Sequence, residues 1–166
     1  MMAPMMAPML ALPLAVLHLA IVGAPPAVTS RTTLFEAGFA NYSQYRIPAL
    51  LVIPATPPTP AQQPSAAGDI VLAFAEARGP NHQQACDTCN TRIAMRRSTN
   101  GGSTFGSLME ITHAHPTTPN TDWTGNAVPL YDAGDVKAGR KPSVTLVYSH
   151  NNNYVLYVRS TDLGQT

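Results

Sequence analysis

Residues 91–105, Thr-Arg-Ile-Ala-Met-Arg-Arg-Ser-Thr-Asn-Gly-Gly-Ser-Thr-Phe, carry the pattern that decides the fold of this chain. Apolar Ile93 and Met95 alternate with polar neighbours, which predicts a β-strand with one buried face. Short polar residues and glycine then occupy every second position, namely Ser98, Asn100, Gly102 and Thr104. Such side chains bond their own backbone and glycine accepts a positive φ, so the segment predicts a tight turn and a hairpin after the strand.

The same pattern returns near the C-terminus. Residues 154–159, Tyr-Val-Leu-Tyr-Val-Arg, predict another strand, and residues 160–166, Ser-Thr-Asp-Leu-Gly-Gln-Thr, keep the spacing of Ser, Asp or Asn, Gly and Thr. One copy alone is explained equally well by an ordinary hairpin with a Gly-Gly tip. Two copies resemble the Asp box, Ser-x-Asp-x-Gly-x-Thr-aromatic, which recurs between the third and fourth strands of sialidase β-propeller blades. The first copy departs from it by having Asn100, and the resemblance implies a fold rather than a chemistry.

The composition excludes several classes of protein. Of the 166 residues, 45% are hydrophobic and 11% are charged, and the net charge is +1. These values exclude a disordered chain and predict no nucleic-acid partner, because no basic surface is available for one. Helical periodicity is nearly absent after residue 30, so we predict an all-β chain. The sequence does not specify an oligomeric state.

Residues 1–30 are predicted to be a secretory signal peptide. An apolar run at residues 9–22 is followed by small residues around Ala24, and the run is too short and too interrupted to predict a membrane span. No positive charge precedes the run, and a wrongly assigned start site is the alternative. A glycosylation sequon at Asn41 agrees with export. The expected location is the secretory pathway, as a secreted, lysosomal or cell-surface protein.

Residues 45–53, Tyr-Arg-Ile-Pro-Ala-Leu-Leu-Val-Ile, predict an apolar strand that contains one arginine. Proline within a strand is confined to an edge or to the first residues, so we expect Arg46 where the strand begins, at an open end of the sheet. Taken alone, such an arginine is expected to pair with a surface carboxylate. The segment also resembles the Phe/Tyr-Arg-Ile-Pro motif of sialidases, whose arginine is the first of three that bind the sugar carboxylate. The resemblance implies that Arg46 binds a substrate carboxylate through paired hydrogen bonds.

A further strand is predicted at residues 69–78, after a Pro- and Gln-rich loop at residues 54–68. Its end resembles the Ala-Phe-Ala-Glu-x-Arg strand end of sialidases, which implies that Arg78 lines the sugar pocket. In that family the next loop carries the aspartate that acts as general acid/base. Loop 79–89 contains a single carboxylate, and the resemblance implies this role for Asp87. A turn cap or a solvated loop carboxylate is the alternative.

Cys86 and Cys89 flank Asp87. Two cysteines cannot form a four-cysteine zinc site within one chain, and no helix start follows that would indicate a thioredoxin-type motif. For an exported chain we expect a local disulfide, with two free thiols as the alternative. His113 and His115 have the spacing of a metal pair, but no carboxylate-rich segment accompanies them, so we expect surface histidines and predict no metal and no cofactor.

Residues 124–132, Thr-Gly-Asn-Ala-Val-Pro-Leu-Tyr-Asp, open a second repeat. They resemble the Asn-x-x-Pro-Val/Leu segment of sialidases, in which the asparagine faces the pocket. The resemblance implies a substrate-binding role for Asn126, and a turn residue before the strand is the alternative. Residues 143–148 predict another strand, and residues 150–153 predict the turn that follows it.

The resemblance covers residues 42–166 and implies the N-terminal part of an exo-α-sialidase. It implies a six-bladed β-propeller, of which this chain supplies about one blade and part of the next and is truncated at its C-terminus. The implied reaction is retaining hydrolysis of terminal sialic acid from glycoproteins, glycolipids or oligosaccharides. A sialylated glycan is then the expected partner, and a glycolipid substrate would bring the protein to a membrane surface.

The tyrosine nucleophile of the family, its glutamate and two further arginines belong to later blades. Tyr148, Tyr154 and Tyr157 are in strands of a different blade, where we expect core packing to explain them. The alternative function is a non-enzymatic Asp-box propeller that binds glycans or proteins.

Overall fold

The computed structural model describes residues 31–55, 68–81, 83–87, 89–112, 122–134 and 138–166. Within these ranges there are seven strands: β1 Tyr42–Ile53, β2 Ile70–Pro80, β3 Thr91–Ser98, β4 Met109–Glu110, β5 Thr124–Asp132, β6 Ser143–His150 and β7 Tyr154–Ser160. The described helical structure is limited to the short 3-10 turn Phe39–Asn41. The predicted all-β class is confirmed, and the strands form two antiparallel sheets that are consistent with part of a β-propeller.

Three predictions from the sequence lie outside the described residues. They are the signal peptide at residues 1–30, most of the loop at residues 54–68, and the pair His113 and His115. In the part of the chain that is described, no helix has the length and hydropathy needed to cross a membrane.

Each sheet is a meander in which strands that follow one another in sequence are neighbours. The first sheet has the order β1-β2-β3-β4 and the second has the order β5-β6-β7. One face of the first sheet packs on one face of the second, and the buried core between them consists of Ile53, Leu72, Phe74, Ile93, Met95, Val144 and Leu146. Burying a side chain of this size contributes about 1.5–3 kcal/mol. This shared core holds the two sheets together.

A β-bulge interrupts the first strand of each sheet at the same relative place. In β1 the register shifts between Arg46 and Ala49, and Ile47 has a φ of 50°. In β5 it shifts between Gly125 and Val128. The prediction that Arg46 marks the beginning of its strand is wrong, since β1 begins at Tyr42. Pro48 lies in the bulge of β1, which is an edge strand. Its missing N–H therefore removes no hydrogen bond between strands, and β1 continues through it.

Both segments that resemble the Asp box, residues 98–105 and 160–166, fold into the same hydrogen-bonded turn. After β3, the Ser98 hydroxyl accepts the Gly102 N–H at 3.0 Å, and Asn100 Oδ1 accepts the Thr104 N–H at 2.9 Å. After β7, the corresponding serine accepts the N–H of the glycine four residues later at 2.8 Å. The glycine at the turn has a positive φ in each copy, 88° and 73°. The first turn connects β3 to β4, so the predicted hairpin is confirmed.

Candidate functional site

Asp87 lies between two arginines that come from neighbouring strands. Arg46 Nη1 of β1 donates to Asp87 Oδ1 at 2.7 Å, and Arg78 Nη1 near the end of β2 donates to the same oxygen. The side chains of Arg46 and Asp87 are 46% and 76% exposed, so the carboxylate faces solvent. The structure therefore brings together three of the four candidate site residues, although Arg46 and Asp87 are 41 positions apart.

Beneath this exposed pair, Arg78 forms a buried ion pair with Glu76. Arg78 Nε donates to Glu76 Oε2 at 3.0 Å, and its Nη2 donates to the same oxygen. Arg78 is 3% exposed and Glu76 is 1% exposed. Burying charges is tolerated when each is paired and hydrogen-bonded, as both are here. Arg78 therefore contacts the buried Glu76 on one side and the exposed Asp87 on the other.

Asn126 joins the same network through its backbone. Its N–H donates to the second carboxylate oxygen of Glu76, Oε1, at 2.9 Å, and its φ of 54° at the β5 bulge turns that N–H toward the carboxylate. The side chain of Asn126 is exposed. The alternative prediction of a turn residue before the strand is wrong, because Asn126 lies inside β5.

Gly125 makes the close approach of β5 to Glu76 feasible. A Cβ at this position would lie 2.3 Å from Glu76 Oε1 and 2.6 Å from Cζ2 of Trp123. Real Cβ atoms do not approach neighbours so closely, so only glycine fits without displacing the buried carboxylate. One continuous chain of contacts thus runs from the second sheet to the first: Asn126, Glu76, Arg78, Asp87 and Arg46.

The two arginines determine the charge state of the free site. The hydrogen bond from Arg78, followed by the positive charge of Arg46, lowers the pKa of Asp87 below its ordinary value. Burial by itself lowers the pKa of Arg78, but the hydrogen bonds that Arg78 donates to Glu76 and Asp87 outweigh it and raise that pKa overall. In the free protein Asp87 is therefore an ionised carboxylate that accepts hydrogen bonds from both guanidinium groups.

The loop that carries Asp87 is closed by a disulfide. Cys86 and Cys89 are bonded to each other, so the expected local disulfide is confirmed. The Cys86 carbonyl accepts from Arg78 Nη1 at 3.5 Å, and the Cys89 carbonyl accepts from the Thr91 hydroxyl at 2.8 Å. The loop is thus attached to β2 on one side of Asp87 and to β3 on the other.

The prediction about the tyrosines of the second sheet is only partly right. Tyr148 is half-buried against the core between the sheets, as expected. Tyr154 and Tyr157 are 62% and 71% exposed, so core packing does not explain them. Tyr157 lies on the uncovered face of β7, and Tyr154 is the first residue of that strand, at its exposed end.

Sequence patterns missed two parts of this region. The sequence analysis assigns no role to Glu76, and the signal that could have found it is a carboxylate in an otherwise apolar strand. A second cluster joins Asp122, 2% exposed, to Nε2 of His150 at the end of β6. The Arg92 guanidinium also donates to the Asp122 carbonyl at 2.9 Å. No sequence motif predicts this cluster, because its members come from three separate segments of the chain.

A scan against protein-family models found no matching family, and a search of curated proteins found no match.

Proposed function

We propose that this chain forms the N-terminal part of a six-bladed sialidase-type β-propeller and contributes to the site of a retaining exo-α-sialidase. The observation that carries the proposal is Asp87 held between Arg46 and Arg78. Three motifs that are separate in sequence and each resemble a sialidase segment converge on this one group of atoms. Unrelated surface residues would not be expected to meet at one place.

The contacts of the free site support a carboxylate-binding role for Arg46. Its guanidinium already binds one carboxylate, that of Asp87, and is about half exposed. The planar guanidinium matches a carboxylate through two parallel hydrogen bonds, which a lysine cannot reproduce. In the proposed complex the carboxylate of sialic acid takes the place of Asp87 on Arg46. Arg78, buried and paired with Glu76, keeps its position.

This exchange also prepares Asp87 for acid catalysis. A general acid must be protonated near the working pH, whereas two arginines hold the pKa of Asp87 low in the free protein. Binding of the substrate carboxylate to Arg46 removes one cationic neighbour from Asp87 and adds an anionic one. Both changes raise its pKa. Asp87 then protonates the leaving glycosidic oxygen, and the reaction uses no metal or cofactor.

The proposed partner is a sialylated glycan, carried by a glycoprotein, a glycolipid or a free oligosaccharide. Asn126 presents its exposed amide at the bulge of β5, on the same network as the two arginines. We propose that this amide donates to a polar group of the sugar. A glycolipid substrate would place the site at a membrane surface, and the predicted export to the secretory pathway is part of the same proposal.

Binding of sialic acid to the purified chain tests the proposal. Titration by NMR is expected to show binding of sialic acid but not of its methyl ester, which lacks the carboxylate charge. Arg46→Lys should weaken binding by about 10- to 100-fold, since a charge-assisted hydrogen bond contributes about 1.5–3 kcal/mol. Arg140→Lys is the matched control, because Arg140 is also an exposed arginine paired with a carboxylate, Asp132, at 3.3 Å. Equal effects of the two substitutions would contradict the proposed role.

Turnover by a protein that contains the remaining blades tests the role of Asp87. Asp87→Asn should lower hydrolysis of a natural sialoside by about 10²–10⁴-fold, because the leaving oxygen is no longer protonated. An aryl sialoside should lose much less in its cleavage step, since its phenolate leaves without a proton. Equal losses, with glycosidic cleavage rate-limiting for both substrates, would show that Asp87 is not the acid. Binding without any turnover would instead favour the glycan-binding module.

A further inference from the structure

The segment Asn41-Tyr42-Ser43 is the one sequon for N-glycosylation in the 166 residues. It lies where the turn Phe39–Asn41 passes into β1. Asn41 is exposed and has a φ of 66°, a left-handed conformation that asparagine adopts more readily than most residues. A glycan attached to this side chain would therefore extend into solvent and leave the pairing of β1 undisturbed.

The other two residues of the sequon are engaged in tertiary contacts. The Ser43 hydroxyl donates to the Gln83 carbonyl at 2.6 Å and lies 3.2 Å from the Gly79 carbonyl oxygen. The Tyr42 side chain is buried, and its hydroxyl donates to Glu110 Oε1 at 2.6 Å. The folded chain thus presents the acceptor asparagine to solvent but holds the serine hydroxyl against the loop that follows β2.

The contact between Ser43 and this loop is closely packed. The Gln83 N–H donates to the Pro80 carbonyl at 3.2 Å, so the loop begins with a turn. Gly79 has a φ of 63°, and a Cβ there would lie 2.3 Å from the Gln83 carbonyl oxygen and 3.0 Å from Ser43 Oγ. An enzyme that needs the serine hydroxyl can therefore reach it only after the turn has moved away from β1.

We propose that Asn41 is N-glycosylated and that the transfer takes place only before β1 and the loop after β2 have come together. The Asn41 amide nitrogen forms a bond to C1 of the first sugar of an oligosaccharide carried on a lipid diphosphate. The bond from C1 to the diphosphate oxygen breaks, the diphosphate leaves with the electron pair, and one amide proton passes to water. The transferring enzyme recognises the hydroxyl two residues after the asparagine, so that hydroxyl has to be free at this step.

The Ser43 hydroxyl then has two successive roles. In the unfolded chain it is part of the signal that the transferring enzyme recognises, and in the folded chain it anchors the loop that carries Asp87 to β1. Folding and glycan transfer compete for the same hydroxyl, so the fraction of chains that carry a glycan depends on how fast this loop closes. The inference rests on the predicted export, which is part of the proposed function, and not on the role of Asp87.

Translation of the full chain in the presence of microsomes tests the modification. Chains that are protected from added protease should include a form larger by one glycan, which a peptide N-glycosidase removes. Asn41→Asp and Ser43→Ala should each abolish this form, because the first lacks the acceptor amide and the second lacks the recognised hydroxyl. Ser43→Thr keeps the hydroxyl and should retain the larger form. Gln44→Ala is the matched control and should retain it too, because Gln44 is an exposed neighbour outside the sequon.

Transfer to the folded chain tests the order of events. The folded chain without a glycan is incubated with the transferring enzyme and a lipid-linked oligosaccharide. It should react at less than about a tenth of the rate of the peptide of residues 32–46, because only the transiently open fraction of the folded chain can react. Trypsin releases this peptide from the unfolded chain after Arg31 and Arg46, so the peptide contains the complete sequon without the loop.

The possible results separate this inference from the proposed function. A protected chain without the larger form, or a larger form that Ser43→Ala retains, would overturn the modification of Asn41. Equal rates for the folded chain and the peptide would overturn the order of events. A chain that added protease digests has not been exported, which overturns both this inference and the predicted export. Sialic-acid binding by Asn41→Asp tests the sialidase site separately, because Asn41 is not part of the Asp87 network.

Discussion

Replacing Glu76 by Gln removes the buried charge on which Arg78 depends. The amide has nearly the same size, and when its single oxygen accepts the N–H of Asn126 its NH2 group faces Arg78, so the change removes both the charge and the two hydrogen bonds that Arg78 donates to Glu76. Removing one partner of a buried ion pair costs about 3–5 kcal/mol, because the other charge is left in an environment of low dielectric. Arg78 retains Asp87 as a partner, although that side chain is 76% exposed. We therefore expect a loss near the lower end, about 3 kcal/mol of the free energy of unfolding.

Asp87→Asn is the matched control for this substitution. It makes the same change from carboxylate to amide in a second partner of the same arginine. Because Asp87 is exposed, solvent screens its interaction with Arg78, and its removal should affect stability far less than the loss of Glu76. Turnover by a protein with the remaining blades should show the opposite order, because Asp87 is the proposed acid and its replacement should lower turnover more than that of Glu76.

Urea unfolding followed by the fluorescence of Trp123 measures the difference. Trp123 is the single tryptophan, is 5% exposed and packs beside Gly125. With a slope of about 1–3 kcal/mol per molar urea, a loss of about 3 kcal/mol lowers the midpoint by about 1–3 M. Equal midpoints for the two variants, or a Glu76→Gln midpoint that matches the wild type, would refute the role assigned to the buried pair.

Three further outcomes are expected. Gly125→Ala should lose about 1–3 kcal/mol of the free energy of unfolding, because its Cβ would lie 2.3 Å from a buried carboxylate oxygen. Gly106→Ala is the control and should lose less in the same urea assay, because its Cβ would meet no atom closer than 3.5 Å. Secreted protein should keep Cys86 and Cys89 unalkylated until a reductant is added, and mass spectrometry that finds both alkylated beforehand would contradict the disulfide. Asp162 has a pKa lowered from 3.8 to about 2, chiefly by the hydrogen bond from the serine two residues earlier. Its contribution to stability is thus present above about pH 4 and is lost as the pH falls toward 2, and Asp162→Asn should remove that part of the pH dependence in urea titrations.

The strands and turns were predictable because their causes are local. The alternation around Ile93 and Met95 predicted β3, and the strand predicted at residues 143–148 is found as β6, Ser143–His150. In the two repeated turns each side-chain hydrogen bond spans at most four residues, so donor and acceptor lie in the same short segment of sequence. The error at Arg46 arose because a bulge let the strand run through its proline, and a bulge depends on the partner strand.

The sequence by itself determined the all-β class and the repeat of strand and turn, and it indicated Arg46, Arg78 and Asp87 as candidate site residues. Only the tertiary structure decided that Glu76 anchors this group and that the bulge of β5 donates a backbone N–H to it. It also decided that Met95 is buried while Tyr157 is exposed, although each lies three residues before the serine of its repeated turn. The physical reason is the same in each case: burial and charge pairing depend on which segment packs against a residue, and here that segment lies far away in the chain.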